Sequence, residues 1–153
     1  MEKSLTNYCH LCDNLICLQP ILSTNPNESE YIMSKKVLIV DDSKISRMFI
    51  RQHISAKHPD WILSEATTGE EAITMIDAEQ PDYCTMDINM PGMLGTDAAK
   101  AILEKYSNIR LVIFSANVQE TYQEQARALG TIFISKPVTE TSIGQAIDYF
   151  LGV

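Results

Sequence analysis

From Lys36 onward the apolar positions switch repeatedly between two spacings. Val37-Leu38-Ile39-Val40 is an unbroken apolar run, the pattern of a strand covered on both faces, and it leads straight into Asp41-Asp42-Ser43. Ser43 predicts the N-cap of a helix whose inward stripe is read as Ile45, Met48, Phe49 and Ala56, with Lys44, Arg47 and Arg51 on another face, and His58-Pro59-Asp60 ends it. Trp61 to Ala66 is a less apolar strand suited to a sheet edge. Thr68-Gly69-Glu70-Glu71 then opens a helix carrying Ala72, Ile73 and Ile76. The run Tyr83-Cys84-Thr85-Met86, bounded by Pro81-Asp82 and Pro91-Gly92, predicts a central strand with Asp87 at its C-terminal end. Ala98, Ala99, Ile102, Leu103 and Tyr106 mark a third helix, and Leu111 to Phe114 a fourth strand ending at Ser115-Ala116-Asn117. Val118, Tyr122, Ala126 and Leu129 mark a fourth helix closed by Gly130. Ile132-Phe133-Ile134 is a fifth strand running to Ser135-Lys136-Pro137, and Ile143, Ala146, Ile147, Phe150 and Leu151 line the last helix.

Strand followed by helix, five times over, implies an α/β fold: a doubly wound five-stranded parallel sheet with right-handed crossovers and helices on both faces. The expected strand order is 2-1-3-4-5, which makes the first and third strands neighbours. Asp41 and Asp42 then converge with Asp87 on one rim, where Ser115 and Lys136 also end their strands. Three crowded carboxylates repel one another unless a cation neutralises them, and a hard divalent ion such as Mg2+ suits an all-oxygen site that keeps some water. In such a site Asp87 has the chemistry of a nucleophile toward phosphorus. Lys136 supplies an ammonium for the transferring group, and Ser115 a hydroxyl.

The totals narrow the partners. The chain has 153 residues, room for one full domain and a short appendage. Its 12 Lys and Arg against 20 Asp and Glu give a net charge of -8, which argues against nucleic acid and anionic membrane surfaces. No apolar stretch approaches the ~18 residues a membrane span needs. Cys84 reads as a small buried hydrophobe, and the cysteine usage suggests a reducing cytoplasm. Residues 1–33 differ in texture and read as an N-terminal extension, either a flexible tail or a mis-called start with Met33 as the natural beginning. The main domain is then 34–153. Cys9-His10-Leu11-Cys12 has the spacing of half a zinc site, with Cys17 nearby, but no second ligand pair is evident.

Residues 36–151 resemble a response-regulator receiver domain of two-component signalling, in the motifs VDDS (40–43), DINMPG (87–92), SAN (115–117) and SKP (135–137). The resemblance implies a flavodoxin-like, CheY-like fold and a stand-alone switch of the chemotaxis or phosphorelay type, rather than an enzyme with its own substrate. By position, Asp87 resembles the phospho-acceptor, Asp42 a direct Mg2+ ligand, Asp41 its water-mediated companion and Asn89 the residue whose carbonyl completes the protein ligands. Ser115 matches the switch hydroxyl, Phe133 the switch aromatic and Lys136 the family lysine, whose bond to Pro137 is expected to be cis. The implied partners are a sensor histidine kinase or histidine phosphotransfer protein and a downstream protein target. Lys44, Arg47 and Arg51 are candidates for the docking face. One departure is Leu94-Gly95, where the family often has Asp-Gly. Two other readings use the same residues. A haloacid-dehalogenase-type phosphatase wants Asp-x-Asp and a cap insertion, whereas these acids are adjacent; a receiver-shaped module indifferent to phosphate would have no need of intact Asp41, Asp42, Asp87 and Lys136.

Overall fold

A computed structural model describes residues 34–153; the cysteine-rich segment and the proposed start at Met33 lie outside the described residues. Five strands, β1 (Lys36–Val40), β2 (Ile62–Ala66), β3 (Tyr83–Asp87), β4 (Arg110–Ser115) and β5 (Ile132–Ser135), alternate with α1 (Lys44–Lys57), α2 (Gly69–Glu79), α3 (Gly95–Lys105), α4 (Glu120–Ala128) and α5 (Glu140–Leu151). The sheet is parallel throughout, in the order β2-β1-β3-β4-β5. That is the order expected from the strand-helix repeats.

Period-two alternation along the strands sorts the core into two layers. Leu38, Val40, Cys84, Met86, Leu111 and Ile113 face one side, packing with Ala72 and Ile76 of α2, Ala98, Ala99 and Ile102 of α3 and Ala126 of α4. Val37, Ile39, Tyr83, Val112 and Phe114 face the other, against Ile50 and Ile54 of α1 and Ile143, Ala146, Ile147 and Phe150 of α5. Cys84 is fully buried, and that burial pushes its thiol pKa up to about 12, so it behaves as an apolar filler. Among the described residues no helix is long and apolar enough to cross a membrane.

Capping follows the local chemistry. Ser43 Oγ accepts from the Ser46 amide at 3.3 Å, Thr68 Oγ1 accepts from the Glu71 amide at 3.1 Å, and Thr139 and Ser142 form a reciprocal capping box on α5. Gly130 follows α4 with φ at +71°, a conformation open to glycine at little cost.

Expectations about three helix faces are corrected. In α1 the buried residues are Ile50 and Ile54, whereas Ile45 is 80% exposed and Met48 58% exposed, and Ala56 is exposed too. The inward arc of α1 also includes Arg47, whose long side chain folds under the helix to reach the loop after β1. A purely hydrophobic reading of the helix passes over a guanidinium that points inward. In α5, Leu151 lies in the final turn and is 46% exposed. Val118 is likewise exposed, because α4 begins only at Glu120.

Candidate functional site

The C-terminal ends of β1, β3, β4 and β5 form one rim, and the register brings the chemistry together there. Val40 of β1 pairs with Met86 of β3, so the next residues, Asp41 and Asp87, stand at the same level. Asp41 extends the ladder by one step, its amide donating to the Ala66 carbonyl at 3.2 Å; Lys136 does the same with the Ser115 carbonyl at 2.8 Å. Asp41, Asp87 and Lys136 continue the alternation of the α1/α5 layer, which directs all three side chains to one side. Lys136 Nζ accordingly lies 2.8 Å from Asp41 Oδ2 and 2.9 Å from Asp87 Oδ2. Asp42, exposed to solvent, completes an acidic trio in which one carboxylate oxygen from each residue lies within 4.8 Å of the others.

These groups are largely out of water. Asp41 is 1% exposed and Asp87 4%. Burial holds the Asp87 carboxyl above the usual carboxylate range, and the charge of Asp41 adds to the effect; Lys136 and the Asn89 amide oppose it without cancelling it. For Lys136 burial works to lower the pKa, but the hydrogen bonds to Asp41 and Asp87 outweigh it and hold the ammonium above its ordinary value. The lysine is therefore charged at any working pH, and it offsets only part of the charge of three acids.

An all-oxygen donor set fits a hard divalent cation. Three such oxygens within 4.8 Å of one another would draw closer, or share a bridging water, to hold one ion between them.

Ser115 is fully buried and accepts a hydrogen bond from the Asn117 amide through Oγ at 3.0 Å. It lies one residue beyond the Asp87–Phe114 pair, and by alternation it belongs to the opposite layer, the one that meets α4. Phe133 is half-buried against that same layer. The Lys136-Pro137 bond is cis, as the resemblance implied. Of the three cations named for docking, Lys44 is exposed, whereas Arg47 and Arg51 are both engaged by Glu65.

Two residues contribute in ways that the sequence reading gave them no part in. Gly95, the first residue of α3, packs so closely on β3 that a Cβ there would lie 1.8 Å from the Asp87 carbonyl oxygen. The Gly-x-x-Gly spacing from Gly92 was the available signal. Glu65 is the other: a carboxylate in an otherwise half-apolar edge strand is out of place unless something binds it, and Arg47 and Arg51 do.

Comparison with known proteins agrees with this arrangement. A family model described as the response regulator receiver domain matches residues 37–148. The chemotaxis protein CheY of Thermotoga maritima is 36% identical over 117 residues, covering 76% of this chain and 97% of that protein. A protein-glutamate methylesterase/protein-glutamine glutaminase of Pyrococcus abyssi is 38% identical over 111 residues, 71% of this chain but only 30% of the enzyme. Among solved structures, the CheX-CheY-BeF3-Mg2+ complex from Borrelia burgdorferi superposes with a TM-score of 0.70 at 29% identity, covering 76% of this chain and 89% of that one. With the fold, the rim and these matches in agreement, the chain belongs to the response-regulator receiver family, the phospho-accepting switches of two-component signalling.

Proposed function

We propose that Asp87 is the residue that accepts the phosphoryl group, from a histidine kinase or a histidine phosphotransfer protein. The observation that carries this reading is the Lys136 ammonium bridging Asp41 and Asp87 at 2.8 and 2.9 Å inside an acidic trio too crowded to be neutralised by one lysine. A carboxylate oxygen of Asp87 attacks the phosphorus of phosphohistidine. The P–N bond breaks, the electron pair stays on the imidazole nitrogen, and an acyl phosphate forms on Asp87. Lys136 is placed to take up negative charge on the phosphoryl oxygens, and the Ser115 hydroxyl to donate to one of them. Asp41, Asp42 and Asp87, with the Asn89 carbonyl, would hold a Mg2+ ion. Such an ion supplies electrostatic stabilisation of the charge that builds on the transferring group.

Phosphorylation then acts as a local charge event that biases a two-state element. Ser115 turns toward the new phosphoryl group and Phe133 packs into the space it leaves, which alters the α4-β5-α5 surface offered to a downstream protein. The docking face for the phosphodonor centres on Lys44 with the exposed Ile45 and Met48, since Arg47 and Arg51 are already bound to Glu65. The receiver at 34–153 is a cytoplasmic domain, and residues 1–33 are either an extension to it or a mis-called start.

Incubation with acetyl phosphate and Mg2+, followed by intact-mass measurement, tests the assignment. The expected result is a gain of one phosphoryl group in the wild type, absent from Asp87→Asn and lost when donor and metal are withdrawn. No incorporation into the wild type, or equal incorporation into Asp87→Asn, refutes it.

A further inference from the structure

The acidic loop is gripped from behind by a side chain that the phosphoryl chemistry leaves unused. Arg47 sits in the first turn of α1 with its side chain only 12% exposed. Its Nη1 donates to the Asp41 carbonyl at 2.8 Å and to the Asp42 carbonyl at 3.3 Å. These two carbonyls belong to the segment that presents two of the three carboxylates. On its other edge the same guanidinium donates through Nε to Glu65 Oε2 at 2.9 Å, and Glu65 belongs to the edge strand β2. The second oxygen of Glu65 accepts from Arg51 Nε, and Arg51 Nη2 in turn donates to the Leu63 carbonyl at 3.1 Å. Arg51 therefore braces β2 alone, whereas Arg47 spans from β2 to the acidic loop.

The chemistry of the grip matters. A guanidinium is a rigid planar fork, able to hold two partners in fixed relative positions where an ammonium offers a single point of charge. Because Arg47 takes the carbonyls of Asp41 and Asp42 and not their carboxylates, it fixes the backbone there while leaving the carboxylate oxygens to a cation. Glu65 offsets only part of its charge, because the one carboxylate is shared between Arg47 and Arg51.

We infer that Arg47, held by Glu65, is a positioning residue that presets the Asp41-Asp42 loop for divalent-cation binding. This rests on the reading of Asp41, Asp42 and Asp87 as a Mg2+ site. Geometry and charge make opposite forecasts for removal of Arg47: loss of the fork weakens Mg2+ binding, whereas loss of a cation near the site strengthens it.

Calorimetric titration of the full chain with Mg2+ distinguishes the two, using wild type, Arg47→Met, Arg47→Lys and Arg51→Met, each checked by circular dichroism and thermal melting. Outer contacts of this kind change metal affinity by about tenfold, so both Arg47 variants are expected to bind Mg2+ about tenfold more weakly. Arg51→Met is expected to stay within about twofold of the wild type, since it does not touch the loop. A folded Arg47→Met that binds as tightly as wild type, a Lys variant that restores full affinity, or losses that merely follow melting temperature at both positions would overturn the inference. A wild type that takes up no Mg2+ would overturn the site reading itself, and the inference with it.

Discussion

Replacing Gly95 by alanine tests how closely the end of β3 and the start of α3 are packed. The added Cβ would stand 1.8 Å from the Asp87 carbonyl oxygen, 2.7 Å from its carbonyl carbon and 2.9 Å from the Ile88 Cα. All three are backbone atoms, so no side chain can rotate away. The contact with the oxygen must open by more than about 1 Å, which moves either the end of β3 or the first turn of α3, and overpacking of this kind costs about 3 kcal/mol. A domain of this size loses about 4 °C of melting temperature per kcal/mol, so a fall of roughly 12 °C is expected by circular dichroism. Gly130→Ala is the comparison. Nothing lies within 4 Å of its added Cβ, and the only penalty is the left-handed φ of +71°, worth about 1 kcal/mol and so roughly 4 °C. Because the shift falls on Asp87 itself, Gly95→Ala should also take up phosphate more slowly from acetyl phosphate, while Gly130→Ala does not. If Gly95→Ala melts no lower than Gly130→Ala, the tight backbone approach is wrong.

Two further predictions concern stability away from the rim. Thr85 is 2% exposed and its Oγ1 has no hydrogen-bond partner, so Thr85→Val removes a buried orphan hydroxyl and should raise stability by about 1 kcal/mol in urea unfolding; a destabilised variant would mean that the hydroxyl is satisfied after all. At the opposite end of the sheet burial works to raise the pKa of Asp82, but the Lys35 ammonium at 2.8 Å and the Lys36 amide at 2.9 Å outweigh it and hold the carboxyl below its ordinary value of 3.8. A depressed folded-state pKa contributes stability that is fully present above 3.8 and is lost as the pH falls through the lower folded value. The gap between wild type and Asp82→Asn in denaturant melts should therefore be constant from neutral pH down to about 4.5 and close below it; a gap that widens on acidification would contradict the sign.

The central strands were legible because they are mostly apolar runs leading into polar residues, and burial on both faces leaves little else such a run can do; β2, with Ser64 and Glu65 inside it, was legible as an edge for the opposite reason. The acidic trio and Lys136 followed from the same rule, since parallel strands bring their C-terminal ends together. Helix faces were harder. In α1 the reading took Ile45 and Met48 as core because they are apolar, while Arg47, which is needed inside to hold the loop, was assigned to the surface. Hydrophobicity ranks residues by their cost of leaving water, and a guanidinium that finds two carbonyls and a carboxylate has had that cost met. Gly95 is visible in the sequence only as the glycine of Leu94-Gly95; its packing role lies in a distance between two backbones that no property of the single residue encodes.

The alternation of side chains across the strands has one more consequence. Asp41, Asp87 and Lys136 lie on the layer shared with α1 and α5, while Ser115 and Phe133 belong to the layer that meets α4. The acidic rim and the proposed switch pair thus lie on opposite faces of the sheet, and the proposed target surface, α4-β5-α5, straddles them, with α4 on the face of Phe133 and α5 on that of Asp87 and Lys136. On that reading a substitution on α4 reshapes the target surface from the face away from the acidic rim, whereas one on the inner side of α5 acts on the very layer that carries Asp87 and Lys136.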